Sequence, residues 1–502
     1  MASAPGTPSV ARACAIALAL LGACARTPAG TTSPAASAMA SGAGPLVPAP
    51  SEARDGGAAG ALDYHVKYTQ ADRVLSVELA LAAGLGGRLE VDRAGASWVR
   101  GVAWSRGGGA FSPAKKDGAT FVTGCGPAPC VVRYTYRLGE AAKAIDDVDT
   151  ASDEREVVEA PPSTWLLVPS DAPQSTRARF HVETEPGVSF ATGVYRSVSD
   201  PSAWEISLDD LQTSPYTVFG PLRRLDVTTP RAGLEVVVAP GALAASDAEL
   251  RAWIENAARS VVGYFDGFPT PSALLVLLPG RGPWVGGGRS LAGGGATVLL
   301  RLGDTAKKHH LDEDWVLVHE MVHLGFPSVA RKHTWAEEGL ATYVEPIARV
   351  RAGLMSEADA WASLVQGLPN GLPKQGDKGL DRTPTWGRTY WGGALFYLLA
   401  DVEIRRASQN ARGLEHALRG ILRAGGNNAS RWPLTEALDV GDRACGVRVL
   451  RPLHARMGEA PMPVDLPALQ RSLGVRVEPS GIRLDDRAEL AHVRRAIMRG
   501  AP

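Results

Sequence analysis

The chain has no charge to spare: lysine plus arginine and aspartate plus glutamate both number 53, so its formal net charge is zero. Without a net positive field it cannot draw in a polyanion over its whole surface, and we expect no nucleic-acid partner. Cysteine is scarce, five among 502 residues, which excludes a fold stapled mainly by disulfides. Long apolar runs are scarce too; the one at residues 13–23 is too short to span a bilayer as a stable helix. What remains is an ordinary globular composition, 45% hydrophobic and 21% charged, with length for two or three domains.

Arg12 followed by the apolar run at 13–23 reads as an export signal. The run ends in Leu21-Gly22-Ala23-Cys24, which resembles the bacterial lipobox. That resemblance implies cleavage before Cys24, lipid attachment to its sulfur, and an exported protein anchored to a membrane of the cell envelope. Residues 24–60 are almost wholly Ala, Gly, Pro, Ser and Thr, too poor in apolar area to offset the entropy of ordering, and read as a disordered tether. Cys125 and Cys130 in CGPAPC either close a small loop disulfide or stand as free thiols; a zinc knuckle lacks a second ligand pair.

From 61 to 240 the dominant period is two. Val77, Leu79 and Leu81 alternate with polar or small residues, as do Tyr134, Tyr136 and Leu138, and further strands are expected at 164–168, 178–183 and 234–238. This predicts a β-sandwich-like domain. Near Ser246 the period becomes helical, with Ser246 and Glu249 spaced as a capping box. A continuous apolar strand at 273–278, a glycine-rich stretch at 286–295 and a strand at 296–302 follow, and from 312 onward the chain reads as helical. Residues 466–474 and 483–498 are expected to be helices.

Chemistry concentrates at HEMVH. Asp312 is the expected cap of a helix carrying His319 and His323, and a four-residue separation puts both imidazoles on one face, able to share an ion, with Glu320 beside them. The helix is apolar on nearly every side, so its histidines and glutamate are buried and need polar partners. A catalytic zinc needs a third protein ligand; His333, Glu337, Glu338 and Glu345 are the candidates. Thr334 and Glu337 have capping-box spacing, which assigns Glu337 to the helix start and leaves Glu338 to face the histidines.

HEMVH followed by WAEEGLATYVE resembles the gluzincin metallopeptidases, especially the aminopeptidase N and glycyl aminopeptidase families. The resemblance covers residues 240–420 and implies Glu338 as third zinc ligand, Glu320 as general base on a zinc-bound water, and Tyr390 of YWGGALFYLL as the oxyanion-stabilising phenol. Fourteen residues separate His323 from Glu338, fewer than in aminopeptidase N, so the connection is tighter. The fold implied is α+β and multidomain: a signal peptide at 1–23, tether at 24–60, β-rich domain at 61–240, thermolysin-like zincin catalytic domain at 241–430 and helical region at 431–502. Thr342, one turn after Glu338, is a candidate partner of a ligand.

The expected activity is zinc-dependent hydrolysis of peptides or proteins, with strand 296–302 as the edge beside which substrate lies. Aminopeptidase N relatives hold the substrate amine with a glutamate before that strand, whereas residues 286–295 contain no acid. Two readings compete: a tethered envelope-binding protein that keeps the metal site without turnover, and a zinc hydrolase of non-peptide amides or epoxides. Gly288-Arg289-Ser290-Leu291-Ala292 approaches a nucleophile elbow but sits in a glycine run, Ser112 and Lys115 have Ser-x-x-Lys spacing without its companion motifs, and His309-His310 reads as a solvated turn.

Overall fold

The computed structural model describes residues 62–126, 128–147, 151–154, 156–229 and 233–500; the signal, Cys24 and the tether lie outside the described residues. The architecture is α+β, a β-sheet region followed by a mixed and then helical one.

The first region is built on a seven-stranded sheet ordered Trp204–Ser207, Arg177–Thr184, Leu62–Thr69, Val74–Leu81, Cys130–Tyr136, Val99–Arg106, Ser112–Pro113. Alternation places Leu62, Tyr64, Val66 and Tyr68 in a core with Leu75, Val77, Leu79 and Leu81, leaving Asp63, His65 and Lys67 on the opposite face. Two four-stranded sheets complete the region. Residues 164–168, expected as a strand, are mostly irregular. Pro162–Thr164 is a 3₁₀ turn, and only Val168–Pro169 pairs. Trp165, Leu166 and Leu167 are all buried, so the run has no alternation, and tyrosine hydroxyls pin it: Tyr134 donates to the Trp165 carbonyl at 2.9 Å and Tyr64 to Leu167 at 2.8 Å. Cys125 and Cys130 are joined as a disulfide.

The second sheet has five strands in the order Arg223–Arg224, Gly233–Val238, Ser272–Gly280, Ala296–Gly303, Val285–Ala292. Gly233–Val238, grouped by its period with the first region, pairs parallel with Ser272–Gly280 instead; a strand buried in the centre of a sheet carries no mark of which sheet it joins. The strand at 296–302 is likewise interior. The edge is Val285–Ala292, the glycine-rich stretch, which composition hid because glycine has little strand preference. One face of this sheet, through Leu275, Leu277, Val298 and Leu300, packs on helix Asp247–Phe265, started by the Ser246–Glu249 capping box, and on the helices after residue 312. The other face, through Leu274, Val276, Leu278 and Leu299, packs on Val157, Ala191, Tyr216 and Val218 of the first region.

Toward the C-terminus, Leu466–Leu473 is helical as expected. Residues 483–484 are not; they belong to a hairpin of Val475–Glu478 with Gly481–Leu484, and the last helix is Ala491–Arg499. Among the described residues, no helix is long and apolar enough to cross a membrane.

Candidate metal centre

The HEMVH helix spans Val316–His323, and its cap is Asp314 rather than Asp312: the Asp314 carboxylate accepts from the Val316 and Leu317 amides at 2.9 and 3.1 Å. Asp312 ends a short preceding helix, Lys308–Asp312. Three neighbouring acids offer three caps, and only the one nearest the first free amides can serve. The helix packs between the edge strand and helix Thr334–Arg351, burying His319 and Glu320 to 5% and 8% exposure. The two imidazoles lie on one face with ring centroids 4.9 Å apart.

Ten residues return the chain to the second helix. Glu337 holds that loop, its Oε1 accepting from the Val329 amide at 2.7 Å. The expected Thr334–Glu337 capping box is absent: Thr334 is already helical, and its hydroxyl donates to Arg331. Glu337 therefore ties the connection, and burial pushes its carboxyl up to about 7. Glu338, the next residue round the turn, faces the histidines, with Oε2 3.3 Å from His319 Nε2 and 3.6 Å from His323 Nε2.

One donor atom from each of these three residues lies within 4.8 Å of the other two. Separations of 3.3 and 3.6 Å are longer than a good hydrogen bond and suit donors bridged by one ion with bonds of roughly 2.0–2.2 Å. The electrostatics point the same way. Burial works against a protonated His323, yet Glu338 outweighs it and pushes the imidazole up to about 9. Burial would raise the Glu338 carboxyl, but His323 and His319 hold it well below the carboxylate range. The pocket favours a positive charge between these groups, and two imidazoles with one carboxylate match a zinc donor set with room for an open position.

Tyr390 lies on a π-helical turn, Gly387–Gly392, leading into helix Gly393–Ala407. Its ring lies 6.4 Å from that of His319, and burial, with Glu338 and Glu320 nearby, pushes the phenol's pKa far up, so it stays protonated. Two glycines bring it there. A Cβ on Gly339 would stand 2.3 Å from Gly393 Cα, and one on Gly393 would stand 2.2 Å from the Trp335 carbonyl, so the two helices touch backbone to backbone. This contact gives the glycine after Glu338, and the one three residues after Tyr390, a common physical purpose.

The edge strand closes the other side. Ser290 Oγ lies 2.8 Å from Glu320 Oε2 and 2.9 Å from the Glu320 carbonyl. Gly288 leaves the space into which Glu320 projects, since a Cβ there would meet its Cγ at 2.3 Å. The strand bulges between Gly286 and Gly288. Ser290 is thus no nucleophile on a strand-to-helix turn but a partner of Glu320. Trp315, beside His319, and Trp386, beside Tyr390, are 46% and 44% exposed and stand at the rim.

The other candidates are placed elsewhere. His333 joins His454 and the Trp335 indole around Asp381, at 2.7, 3.0 and 2.7 Å. Glu345 pairs with Arg349 at 3.0 Å. The Thr342 hydroxyl donates to the Glu338 carbonyl at 2.7 Å, not to its carboxylate. Ser112 and Lys115 are exposed on short strands, and His309 and His310 lie in the helix before Asp314. Ser290, Asp314 and Asp381 were not foreseen in these roles. Only Asp314 left a local signal, an acid two residues before free helical amides.

No protein-family model matches the sequence, and no curated protein resembles it closely enough to be counted as a relative. Solved structures do match. An aminopeptidase N family protein from Idiomarina loihiensis superposes with TM-score 0.64 at 13% identity, covering 83% of this chain and 79% of that one. A point mutant of the M1 zinc metallopeptidase from Deinococcus radiodurans gives 0.50 at 15%, covering 80% and 94%. The same enzyme bound to a Tyr-Ser-Ala substrate also gives 0.50 at 15%, covering 81% and 94%. At these identities the likeness is one of fold: the chain has the architecture of the two-domain M1 peptidases.

Proposed function

We infer that this chain is a zinc metallopeptidase that hydrolyses peptide bonds. The observation that carries the reading is the convergence of His319, His323 and Glu338 from two helices, with Glu320 beside them and held by the edge strand. A zinc ion held by the three donors would supply the Lewis acidity that activates water and polarises a carbonyl. Glu320 is the general base: it takes the proton of the attacking water and returns it to the leaving nitrogen. The contact with Ser290 anchors Oε2 and leaves Oε1 for that proton. Tyr390, kept protonated, donates to the oxyanion, whose charge appears only in the transition state.

An extended peptide fits the outer edge of Val285–Ala292, the end strand of its sheet among the described residues, where backbone groups can add it as a further strand. The Deinococcus radiodurans enzyme's complex with a tripeptide supports peptides as the substrate class. The leader-like residues 1–23 and Cys24 extend the reading to an exported, lipid-anchored enzyme of the cell envelope. Glu320→Gln tests the core of it. The variant should keep zinc by emission spectrometry while cleavage of a denatured protein mixture, mapped by mass spectrometry, falls by roughly 10²–10⁴. Undiminished cleavage would remove Glu320 from its role, and zinc-loaded wild type without cleavage would favour the tethered binding protein.

A further inference from the structure

The outer face of the seven-stranded sheet carries a second cluster of metal-ligating side chains. Strands Leu62–Thr69 and Arg177–Thr184 run parallel with Asp63 opposite Arg179 and His65 opposite His181. Because Leu62, Tyr64 and Val66 fill the core, the pleat sends Asp63, His65 and His181 to the opposite face. Asp200 comes from the segment between strands Ser189–Thr192 and Trp204–Ser207 and stands beside His181. One donor atom from each of Asp63, His65 and His181 lies within 4.8 Å of the others.

The spacing and the anchoring distinguish this cluster from an incidental charge pair. His181 Nε2 stands 3.6 Å from both Asp63 Oδ1 and Asp200 Oδ2. That is too long for a direct hydrogen bond and matches the 3.3 and 3.6 Å spacing around Glu338. By contrast, the buried His333–Asp381–His454 group closes at 2.7 and 3.0 Å in direct hydrogen bonds and needs no ion. Each carboxylate near His181 is held by its far oxygen. Arg179 donates to Asp63 Oδ2 at 2.6 Å, and Ser202 donates to Asp200 Oδ1 from its amide at 3.0 Å and its hydroxyl at 2.6 Å. The near oxygens are thereby turned toward the imidazole, as outer partners orient metal ligands. Asp63 Oδ1 is buried and, among the described residues, has no hydrogen-bond partner.

The His65 and His181 rings are stacked, with centroids 4.8 Å apart and planes within 4°. His65 is exposed and borders a depression of about 390 Å³, so its ring has room to turn a nitrogen toward the other donors. With Arg179 offsetting one carboxylate, two imidazoles and two carboxylates carry one net negative charge, like the His319–His323–Glu338 set.

The geometry points to a second metal site, formed by His65, His181 and Asp63 with Asp200 beside His181, that takes a divalent transition ion of the zinc, copper or nickel class. Imidazole with carboxylate suits these ions rather than calcium or magnesium. An ion there joins two strands and the 197–203 loop, so its role is to staple the first region.

Tag-free, full-length protein dialysed against zinc and assayed by emission spectrometry tests this. Wild type should hold two ions per chain. The His65→Ala/His181→Ala double variant should lose one and keep wild-type circular dichroism and cleavage, whereas Glu338→Ala should lose the other and keep this one. Equal zinc content in wild type and the double variant overturns the site, whatever becomes of the metal at Glu338. With copper(II) as probe on Glu338→Ala protein, the paramagnetic resonance spectrum should show coupling to two imidazole nitrogens that disappears when His65 and His181 are also replaced. A spectrum unchanged by those replacements overturns the proposal equally.

Discussion

Ser290 touches Glu320 and nothing else in the proposed reaction, so its contribution is to hold the base in place. A hydrogen bond to a charged group is worth about 1.5–3 kcal/mol, which in a barrier is roughly ten- to a hundredfold in rate. Ser290→Ala should therefore lower kcat by about that factor with KM and zinc content near wild type; a rise in KM alone would show that Ser290 serves substrate binding instead. A second residue argues about pH. Glu345 is buried beside Arg349, and burial pushes its carboxyl up to about 7, above the ordinary value of about 4.3. Between those values the folded chain binds more protons than the unfolded one. The stability protonated Glu345 contributes is therefore complete below the unfolded value and lost as pH rises through 7. Glu345→Gln cannot make that loss, so wild type should lose more of its urea midpoint than the variant between pH 5 and 8. Parallel curves would show that Arg349 keeps Glu345 ionised throughout.

At the scale of elements, the site depends on two helices crossing through Gly339 and Gly393. Gly339→Ala puts a methyl group where the facing backbone already stands, and overpacking of this kind costs about 1–3 kcal/mol. The expected variant melts lower and loses turnover because Tyr390 is carried away, while His319 and His323, on a separate helix, still offer two donors to zinc; full activity would mean that Tyr390 does not need this contact. His319 and His323 were legible as a pair because a four-residue spacing on a helix is a local property; Glu338 was singled out by the resemblance and by a capping box that does not form, so its place facing the histidines follows from the fold rather than from local spacing. The exact cap was not legible, since Asp312, Glu313 and Asp314 offer the same chemistry and only the fold selects among them. The edge strand was hidden because its glycines give no period. Ser290 and Asp381 were invisible for a different reason: their partners lie 30 and 46 to 73 residues away in sequence, where no spacing rule reaches. The grouping of Gly233–Val238 also failed, because strand periodicity reports burial and not which sheet will be joined.

At the scale of the whole molecule, the sequence divides the chain into a β-rich domain ending near residue 240 and a catalytic domain after it, and the packing argues that the two do not stand independently. The five-stranded sheet has apolar residues on both faces, and the face bearing Leu274, Val276, Leu278 and Leu299 is covered by Val157, Ala191, Tyr216 and Val218. The first region also bonds to the turn that ends the edge strand. The Ala296 amide donates to the Gly193 carbonyl at 2.9 Å, the Tyr195 amide to Gly294 at 3.2 Å, and Val194 forms an isolated bridge with Gly295. Through that turn the first region fixes the strand that carries Gly288 and Ser290 against Glu320. A chain restricted to residues 221–500 would expose an apolar sheet face and leave this turn untethered, a surface of the kind that drives association. The expected result is that the shortened chain is insoluble or aggregates on size-exclusion chromatography, and that the full chain unfolds without a separate transition for its first region in calorimetry. A soluble, monomeric 221–500 fragment that binds zinc and cleaves peptide at the full-length rate would show that the first region contributes nothing to the site.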